Sequence, residues 1–432
     1  MMQAEIAQPT AAQFLPQSLL QPPPARLRIA LFSDIYKPRV NGVVNHVALL
    51  KQYLSAWGHD VFLFVPGADK HAAEEPNVIR IPGIPIANTG YHLSVRLDRR
   101  SREILSHMDV VHVHHPFISG SFGVYCATHY KTPLIFTNHT RYDLIAKAYL
   151  PLLPAALSDT AMQAYFQRFS RHCAALIAPS PGIARIMKQW RVQGRIEVIP
   201  NGIELDRFYQ PQRGVTRQQL NLAPDTVIAI YVGRMSPEKN LERLLQTFQS
   251  VAAEAADVHL LLVGDGSELN DLQHLAQRLR IGHRVTFTGG VDYDAVPGYL
   301  ALADFFVSAS VSEVHPLTFI EAAAAGLPAL GMRATGVVDI IDDEVSGLIA
   351  PDGDGEFRQR FLRLARDADL RGRLGAQARA SSHEYAAATN AQRVLALYSE
   401  TVGRAATPRR TLSNSNSPLA GGVPVSSSTS EK

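Results

Sequence analysis

Short apolar runs alternate with amphipathic segments along most of the chain. Runs such as LRIALFSD, DVFLFVPG, DVVHVHHP and PLIFTNHT occur in the first half, and TVIAIYVGR, VHLLLVGDG, RVTFTGGV and ADFFVSAS occur in the second. Apolar runs of about four to six residues are typical of strands that are buried on both faces. Because segments with the period of an amphipathic helix separate these runs, the pattern predicts α/β domains with helices on both faces of a parallel sheet.

The strand and helix series ends near residue 205 and then starts again. This repetition predicts two Rossmann-like, doubly wound domains that face each other across a cleft. We expect an N-terminal domain over residues 27–205, a C-terminal domain over 206–383, and a helix at 384–404 that returns to the first domain. Residues 1–26 and 405–432 are rich in proline, glutamine, serine and similar residues, so we expect a disordered leader and a disordered tail.

Composition argues against nucleic-acid-binding, disulfide-rich and membrane-spanning classes of protein. A formal net charge of +3 over 432 residues gives no indication of nucleic-acid binding, and two cysteines cannot form a disulfide framework. No apolar run approaches the roughly 18 residues of a membrane-spanning helix, and the N-terminus lacks the pattern of a signal peptide. We therefore expect a cytoplasmic protein, and the inner face of the membrane stays open as an alternative location.

Two cations follow the strand that opens the second domain. Arg234 comes at the end of this strand and Lys239 comes shortly after it, at a predicted helix start, so that one loop can turn both toward a single point. Cations beside a helix N-terminus offset the charge of a diphosphate. Taken alone, the same two residues are equally typical of a solvated surface.

Two carboxylates follow a later strand, ADFFVSAS. Glu313 is predicted in the loop after this strand, where it can bind sugar hydroxyls, and Glu321 in the next helix, where it can accept from a ribose diol. Isolated glutamates of this kind are common on solvated loops and helices. The small residues AAAAGLPAL that follow Glu321 indicate a closely packed helix, which favours a carboxylate that faces a site.

Several motifs, taken in order, resemble those of the retaining GT-B glycosyltransferases of glycosyltransferase family 4. They are RVNGVV, IPNGIELDRF, the GR-x4-K cluster, VGDGSE, FTGGV and the E-x7-E pair of SEVHPLTFIEA, between residues 28 and 350. The resemblance implies a metal-independent transfer of a hexose, either glucose or mannose, from a nucleotide sugar with retention of configuration. No cofactor is implied beyond this co-substrate, for which a UDP-hexose is the first candidate.

The resemblance also implies a role for each residue at a matching position. Arg234 and Lys239 are similar to the clamp on the donor diphosphate, and both count as catalytic candidates. Glu313 is similar to the catalytic partner of the donor sugar, and Glu321 to the ribose ligand. Gly42 resembles the glycine whose backbone approaches the donor phosphate, where a side chain would collide.

Further donor-binding candidates lie in FTGGV and after Glu313. Val291 lies where the family contacts the nucleotide base. Many relatives have Gly-aromatic-Gly after the first glutamate, whereas this chain has VHPL, in which Pro316 cannot donate a backbone hydrogen bond. His315, Leu317 and Thr318 remain as candidates. This form looks like that of glycolipid-making members, which add a hexose to diacylglycerol-type acceptors.

Histidines after two strands suggest further chemistry. His139 in FTNHT matches the family's active-site histidine, which implies hydrogen bonding to a sugar hydroxyl, although a single histidine after a strand is more often structural. VHVHHP puts His112 and His114 on one face of a strand, followed by His115, yet no further ligand has suitable spacing, so we expect no metal site. The DGD at 352–354 is interpreted as a turn.

The acceptor stays open at this stage. Segment 141–172 combines aromatic, leucine and basic residues and predicts equally a membrane-docking face and an ordinary core helix. The cations that could add attraction to anionic lipid are Lys37, Arg39, Arg96, Arg99, Arg100 and Arg102.

Three functions compete at this stage. One is transfer to a lipid such as diacylglycerol, with peripheral membrane association. The second is transfer to a soluble or polysaccharide acceptor, and the third is a non-catalytic nucleotide-sugar-binding module. A dinucleotide-dependent oxidoreductase is disfavoured, because G-x-G-x-x-G is absent after the first strand.

Overall fold

The computed structural model describes residues 26–38, 41–67, 75–86, 91–94, 96–142, 155–211, 214–351 and 353–406. The predicted disordered leader and tail lie outside these residues, apart from their innermost positions, and so do Arg39 and Asp352.

The strands of the described residues are short. They are β1 (Arg28–Phe32), β2 (Asp60–Pro66), β3 (Val78–Ile81), β4 (Ile84–Pro85), β5 (His92–Leu93), β6 (Val110–Val113), β7 (Leu134–Thr137), β8 (Ala175–Ala178), β9 (Ile196–Val198), β10 (Val227–Val232), β11 (Val258–Val263), β12 (Val285–Phe287), β13 (Phe305–Ser308), β14 (Ala329–Met332) and β15 (Gly347–Ala350).

Helices follow most of these strands. They are α1 (Gly42–Ala56), α2 (Arg99–Leu105), α3 (Ile118–His129), α4 (Ala155–Ser170), α5 (Pro181–Gln189), α6 (Asp206–Tyr209), α7 (Leu241–Glu254), α8 (Leu269–Arg278), α9 (Val296–Leu302), α10 (Leu317–Ala324), α11 (Asp354–Arg366), α12 (Ala368–Ser381) and α13 (Ala387–Ala406).

Two parallel sheets of the same topology contain all of the described strands except β4 and β5. The first has the order β3-β2-β1-β6-β7-β8-β9, and the second has the order β12-β11-β10-β13-β14-β15. In each sheet the chain moves outward from its first strand and then resumes on the other side, which is the order of doubly wound Rossmann folds. The predicted fold class is therefore confirmed. We call the first sheet with its helices the N-terminal lobe and the second the C-terminal lobe.

Successive residues of each strand enter apolar cores on opposite faces of the sheet. In β1, Ile29 and Leu31 enter the core under α1, whereas Ala30 and Phe32 enter the core on the other face. The strands of the C-terminal lobe alternate in the same way. Because side chains of a strand alternate between faces, only a strand that is apolar throughout can serve two cores, which explains the continuous apolar runs of the sequence.

The chain crosses between the lobes twice, and the two crossings touch. The Ile203 N–H donates to the Tyr385 carbonyl, and the Ala387 N–H donates to the Ile203 carbonyl, both over 2.9 Å. A Cβ on Gly202 would lie 2.4 Å from the Cα of Ala387, so glycine allows this contact. After the second crossing, α13 packs against α1, and Tyr398 lies fully buried in the N-terminal core.

The described part of segment 141–172 is a core helix. Phe166 and Phe169 of α4 are buried in the N-terminal lobe, and the Phe166 ring stacks on Trp190 at a centroid distance of 4.9 Å. These side chains are therefore not available to a membrane, and residues 143–154 lie outside the described residues. Within the described ranges, no helix combines the length and the apolar character needed to span a membrane.

Candidate active site

The loops after β10 and β13 bring a cation and a carboxylate into contact. These two strands are neighbours where the strand order of the second sheet reverses, and ligands of such sheets bind beyond the carboxyl ends of the strands at this point. Lys239 donates from Nζ to Oε1 of Glu313 over 2.7 Å. Two residues that the sequence predicts in one site therefore meet in the structure.

Arg234 lies on the same loop as Lys239, and its side chain is exposed. The next residue holds the loop in place, because the Met235 N–H donates to the Asp265 carbonyl over 2.9 Å. A Cβ on Gly266 would lie 2.2 Å from the Met235 carbonyl oxygen, so glycine allows the loops after β10 and β11 to touch. The guanidinium of Arg234 is consequently presented from a well-packed backbone.

Tyr231, at the end of β10, lies close to the charged groups of both loops. Its hydroxyl donates to the Arg234 carbonyl over 3.0 Å. Burial, followed by the negative charges of Glu313 and Glu238, raises the pKa of Tyr231, while the positive charge of Arg234 acts in the opposite direction. Arg234 and Glu313 therefore lie near the same phenol, on one edge of the sheet.

Glu321 is buried in α10 and has one hydrogen-bond donor from a neighbouring loop. Tyr293 donates from its hydroxyl to Oε1 of Glu321 over 2.8 Å, and Arg207 lies over the Tyr293 ring. Burial raises the pKa of Glu321 to about 7, although the Tyr293 hydrogen bond and Arg207 act in the opposite direction. Val291, the predicted base contact, is partly buried and packs against the same apolar cluster as Tyr293. The loop after β12 and the helix α10 thus contribute a second polar group to the candidate site, formed by Tyr293 and Glu321.

The N-termini of α1 and α10 face each other across the cleft. The Asn41 side chain accepts from the Val44 N–H over 2.9 Å and caps α1, which begins at Gly42. A Cβ on Gly42 would lie 3.6 Å from Cδ1 of Leu317, the first residue of α10. Because helix N-termini carry partial positive charge and free N–H groups, two of them at one place favour an anionic ligand. Thr318, the second residue of α10, is partly exposed at this point.

His139 belongs to a cluster of buried histidines on the N-terminal side of the cleft. His114 Nδ1 and His139 Nε2 are 3.0 Å apart, and the His46 ring lies 4.9 Å from the His139 ring between centroids. Burial lowers the pKa of His139 and His114 well below the usual value, and it lowers that of His46 to about 4. Burial also lowers the pKa of His315, which reaches this cluster from the C-terminal lobe, to about 3. At neutral pH these rings are therefore uncharged hydrogen-bonding groups.

The other two histidines of VHVHHP have structural partners. His112 bonds through Nδ1 to the Tyr398 hydroxyl over 2.6 Å and through Nε2 to the Thr137 hydroxyl over 2.7 Å. His115 accepts at Nδ1 from the Asp34 N–H over 3.1 Å. Both rings therefore connect β6 to neighbouring parts of the N-terminal lobe.

One group of described histidines could hold a metal ion. Ring nitrogens of His46, His114 and His139 all lie within 4.8 Å of one another. Neutral imidazoles are common ligands of zinc and similar ions. The spacing within VHVHHP could not reveal this set, because its members lie on α1 and after two different strands. Two members of this set, His114 and His139, are also hydrogen-bonded to each other.

Those of the cations predicted to attract anionic lipid that the structure describes divide into two groups. Lys37 pairs with Glu75 over 3.3 Å, and Glu75 is also paired with Lys51. Arg96 and the three arginines of α2 are exposed. Only the second group is thus a candidate for attraction to a charged surface.

Sequence reasoning missed three residues of the site: His46, His114 as the partner of His139, and Tyr293. His46 follows Gly42 by one turn of α1, and Tyr293 follows Val291 closely, so both positions were detectable as neighbours of predicted residues. The partnership of His114 with His139 was not detectable, since it depends on the adjacency of β6 and β7 in the sheet.

Comparison with known proteins assigns both halves of the chain. Residues 40–207 match the family described as Glycosyltransferase Family 4, and residues 212–381 match the family described as Glycosyl transferases group 1. The chain is 32% identical over 336 residues to the alpha-monoglucosyldiacylglycerol synthase of Streptococcus pneumoniae, with 75% of each chain covered. It is 29% identical over 393 residues to the synthase of the same name from Acholeplasma laidlawii, with 88% of this chain and 98% of that protein covered.

A solved structure with a bound ligand has the same fold. The Anabaena protein HepE in complex with UDP-glucose matches with a TM-score of 0.68 at 18% identity, over 87% of this chain and 100% of that chain.

Proposed function

Because the chain belongs to glycosyltransferase family 4, as its motifs predicted, we propose that it is a retaining, metal-independent enzyme that transfers glucose from UDP-glucose to a diacylglycerol-type lipid. That it is a GT-B glycosyltransferase using a nucleotide sugar is confirmed. The base, the hexose, the stereochemistry and the acceptor are the proposed parts. Mannose as the hexose is the alternative to glucose.

The observation that carries the proposal is the convergence of positive groups on one gap between the lobes. Lys239 and Arg234 share one loop, and the N-termini of α1 and α10 meet at Gly42 and Leu317. A diphosphate is the donor part that such a set would bind best, because cations and free N–H groups both stabilise phosphate oxygens. In this proposal Val291, which packs against the same apolar cluster as Tyr293, contacts the base, and Glu321 accepts from the ribose diol.

We assign the donor to the lobe of residues 206–383 and the acceptor to that of residues 27–205. In the proposed reaction, the bond between the anomeric carbon and the diphosphate oxygen breaks as the acceptor oxygen forms a bond to the same face of that carbon. The departing phosphate oxygen takes the acceptor proton. Arg234 and Lys239 stabilise the charge that develops on the diphosphate, and Glu313 and His139 orient the sugar through its hydroxyl groups.

The lipid acceptor is supported by the names of relatives. Both synthases compared above are named for the monoglucosyldiacylglycerol that they make, and the Acholeplasma protein aligns over 98% of its length. A diacylglycerol acceptor resides in a bilayer, so we propose peripheral association with the membrane. The UDP-glucose complex of HepE supports UDP-glucose as the first donor to test.

The test is a panel of UDP-glucose, GDP-mannose and ADP-glucose with vesicles that contain diacylglycerol. We expect UDP-glucose to give an α-linked glucosyl lipid, with the linkage assigned by NMR. A product only with soluble acceptors, or inversion at the anomeric carbon, would contradict the proposal. Dialysis against EDTA should leave the rate unchanged, whereas a loss that added zinc or magnesium restores would show that a metal is required.

Arg234→Ala tests the proposed diphosphate clamp. We expect turnover to fall by about a hundredfold or more, because a positioned charge is lost where charge develops in the transition state. Arg278, an exposed arginine at the end of α8, provides the matched control, and Arg278→Ala should retain activity. Near-normal turnover in Arg234→Ala, with the unfolding temperature unchanged, would remove the clamp from the mechanism.

A further inference from the structure

Exposed apolar side chains of the described residues are concentrated on one ribbon of the N-terminal lobe. Ile84, Ile86, Tyr91 and Leu93 all lie on or directly beside β4 and β5, and Ile84 and Leu93 are 72% and 49% exposed. The other large exposed apolar residues among those described occur singly, at Phe117, Val311 and Val345. Contiguous exposed apolar surface is uncommon on soluble proteins and marks interaction sites.

The register of the ribbon puts all four side chains on one face. β4 and β5 are antiparallel, with Ile84 opposite Leu93, and the Ile86 N–H donates to the Tyr91 carbonyl over 2.9 Å. Directly opposed residues share a face, and so do residues two apart along a strand. Ile84, Ile86, Tyr91 and Leu93 therefore form one continuous apolar face.

The opposite face of the ribbon is packed against the lobe. A Cβ on Gly67, which has a φ of +90°, would lie 2.3 Å from the His92 ring, so His92 occupies the space that a side chain at position 67 would need. The Ser94 hydroxyl donates to the Pro82 carbonyl over 2.7 Å. The ribbon is thus attached through His92 and Ser94, and this attachment leaves Ile84, Ile86 and Leu93 toward solvent. Tyr91, at the end of the same face, is partly exposed and also contacts the lobe.

Positive charge follows the ribbon directly along the chain. Arg96, Arg99, Arg100 and Arg102 are exposed, and no ion pair among the described residues involves the first three. The neighbouring Asp98 is occupied as the cap of α2, since it accepts from the Ser101 N–H over 2.7 Å. An apolar face bordered by arginines complements the surface of a bilayer that contains anionic lipid.

The ribbon lies beside the histidine side of the cleft. The Tyr91 ring packs edge-on against the His115 ring at a centroid distance of 6.4 Å. His115 follows β6 directly after His114, the hydrogen-bond partner of His139. A membrane in contact with the ribbon would therefore be close to the proposed transfer site.

We infer that this ribbon and the arginines after it dock the enzyme on an anionic bilayer, with the apolar face inserted among the headgroups. The consequence for turnover rests on the proposed lipid acceptor, whereas the docking itself does not. A second copy of the chain fits less well, because a twofold contact through this face would bring two sets of arginines together.

The test measures binding of the full chain to phosphatidylcholine vesicles, with and without phosphatidylglycerol, in the absence of donor and diacylglycerol. We expect the double variant Ile84→Ser, Leu93→Ser to lower partition by at least about tenfold, because two inserted side chains are lost. Arg99→Gln and Arg100→Gln should each lower it about fivefold, and only with phosphatidylglycerol present. Val345→Ser, which changes an exposed apolar residue of the C-terminal lobe, is the matched control and should bind like the original chain.

Three outcomes would overturn the inference. They are vesicle binding that the double variant leaves unchanged, absence of binding by the original chain, and a dimer that the double variant converts to a monomer. With diacylglycerol and UDP-glucose added, the double variant should lose lipid glucosylation together with vesicle binding, while its affinity for UDP-glucose should equal that of the original chain. If the original chain binds through the ribbon and transfers nothing to diacylglycerol, the acceptor proposal fails and the docking inference stands.

Discussion

The carboxyl group of Glu321 gives the site a titration near neutral pH. Burial raises its pKa to about 7, so the protonated form is favoured until the pH exceeds this value. A ribose diol donates hydrogen bonds and therefore binds the ionised form better. We expect the affinity for UDP-glucose, measured by calorimetry, to rise about tenfold between pH 6 and pH 8, with release of a proton on binding.

Two variants test this assignment. Glu321→Gln cannot ionise, so its weaker binding should not depend on pH over this range. Tyr293→Phe removes a hydrogen bond that favours the ionised carboxylate, and it should move the transition to higher pH. An affinity of the original chain that is flat from pH 6 to pH 8 would show that Glu321 does not meet the donor.

His114 should act as a positioning residue for His139. Both rings are neutral, so only one of the facing nitrogens, His114 Nδ1 and His139 Nε2, carries the shared proton. This bond sets which tautomer His139 presents at Nδ1, for which the described residues provide no partner. We expect His114→Leu to lower kcat by about tenfold or more with little change in KM for UDP-glucose.

The conservative variant separates positioning from packing. Asparagine places an amide nitrogen near the position of Nδ1, so His114→Asn should recover most of the activity lost in His114→Leu. If both variants lose stability and activity to the same extent, the role of His114 is packing alone.

Residues of the donor side could be predicted from sequence because each lies within a recognisable motif after a strand. Arg234, Lys239 and Glu313 are examples, and the structure joins Lys239 to Glu313. His46 and His114 could not be assigned to the site in this way. Their proximity to His139 depends on which strands are adjacent and on how α1 crosses the sheet, and neither is encoded in local spacing.

At the scale of elements, strands buried on both faces were predicted well, since their apolar runs have few alternative structures. The ribbon was missed. β4 and β5 contain two residues each, which is too short for the period of a strand to emerge from the sequence. For segment 141–172 the sequence predicts a helix but not its environment, because the pattern of an apolar helix face is the same whether a protein core or a membrane covers it.

The start of α1 offers a test of whether a glycine serves ligand binding or packing. A Cβ on Gly42 would meet Leu317 at an ordinary contact distance of 3.6 Å, and alanine is a better helix residue than glycine. Gly42→Ala should therefore fold with unchanged or slightly higher stability. Its affinity for UDP-glucose should nevertheless fall by about tenfold or more, since the methyl group would occupy the space of a phosphate.

Gly202→Ala is the contrasting variant. Its Cβ would lie 2.4 Å from Cα of Ala387, so the two crossings between the lobes would have to separate. We expect a lower unfolding temperature in this variant, measured by calorimetry, together with lower turnover. Unchanged donor affinity in Gly42→Ala would show that the donor phosphates do not approach α1.

At the scale of the whole molecule, the lobes meet through groups outside the candidate site as well as within it. Asp339 of the C-terminal lobe accepts from the Gly182 N–H over 2.8 Å, and Arg141 donates to the Thr335 hydroxyl over 3.0 Å. The two crossings are joined at Ile203. The predicted donor-binding residues and the histidine cluster lie on opposite lobes. These contacts between the lobes therefore determine how the two halves of the site are positioned relative to each other.

Six buried histidines near the cleft make the folded state sensitive to acid. They are His46, His112, His114, His115, His139 and His315, and burial lowers the pKa of each. Below about pH 6.5 the unfolded chain takes up protons that the folded chain excludes, so stability is present above this pH and is lost as the pH falls. Each histidine can contribute up to about 1.4 kcal/mol per pH unit.

Urea unfolding at about pH 7.5, 6.5 and 5.5 measures this loss. We expect the free energy of unfolding to fall by about 2 kcal/mol between the first two values and by about 6 kcal/mol between the last two, since the six histidines act together. His112→Asn should reduce the slope by about one proton, whereas His107→Asn, at an exposed position, should leave it unchanged. Glu321 has the opposite effect on stability. Because its pKa is raised in the folded chain, its contribution to the free energy of unfolding increases as the pH falls. A stability that stays level down to pH 5.5 would mean that the histidine cluster can admit protons or water, and the cleft between the lobes would then open far more readily than its buried contacts imply.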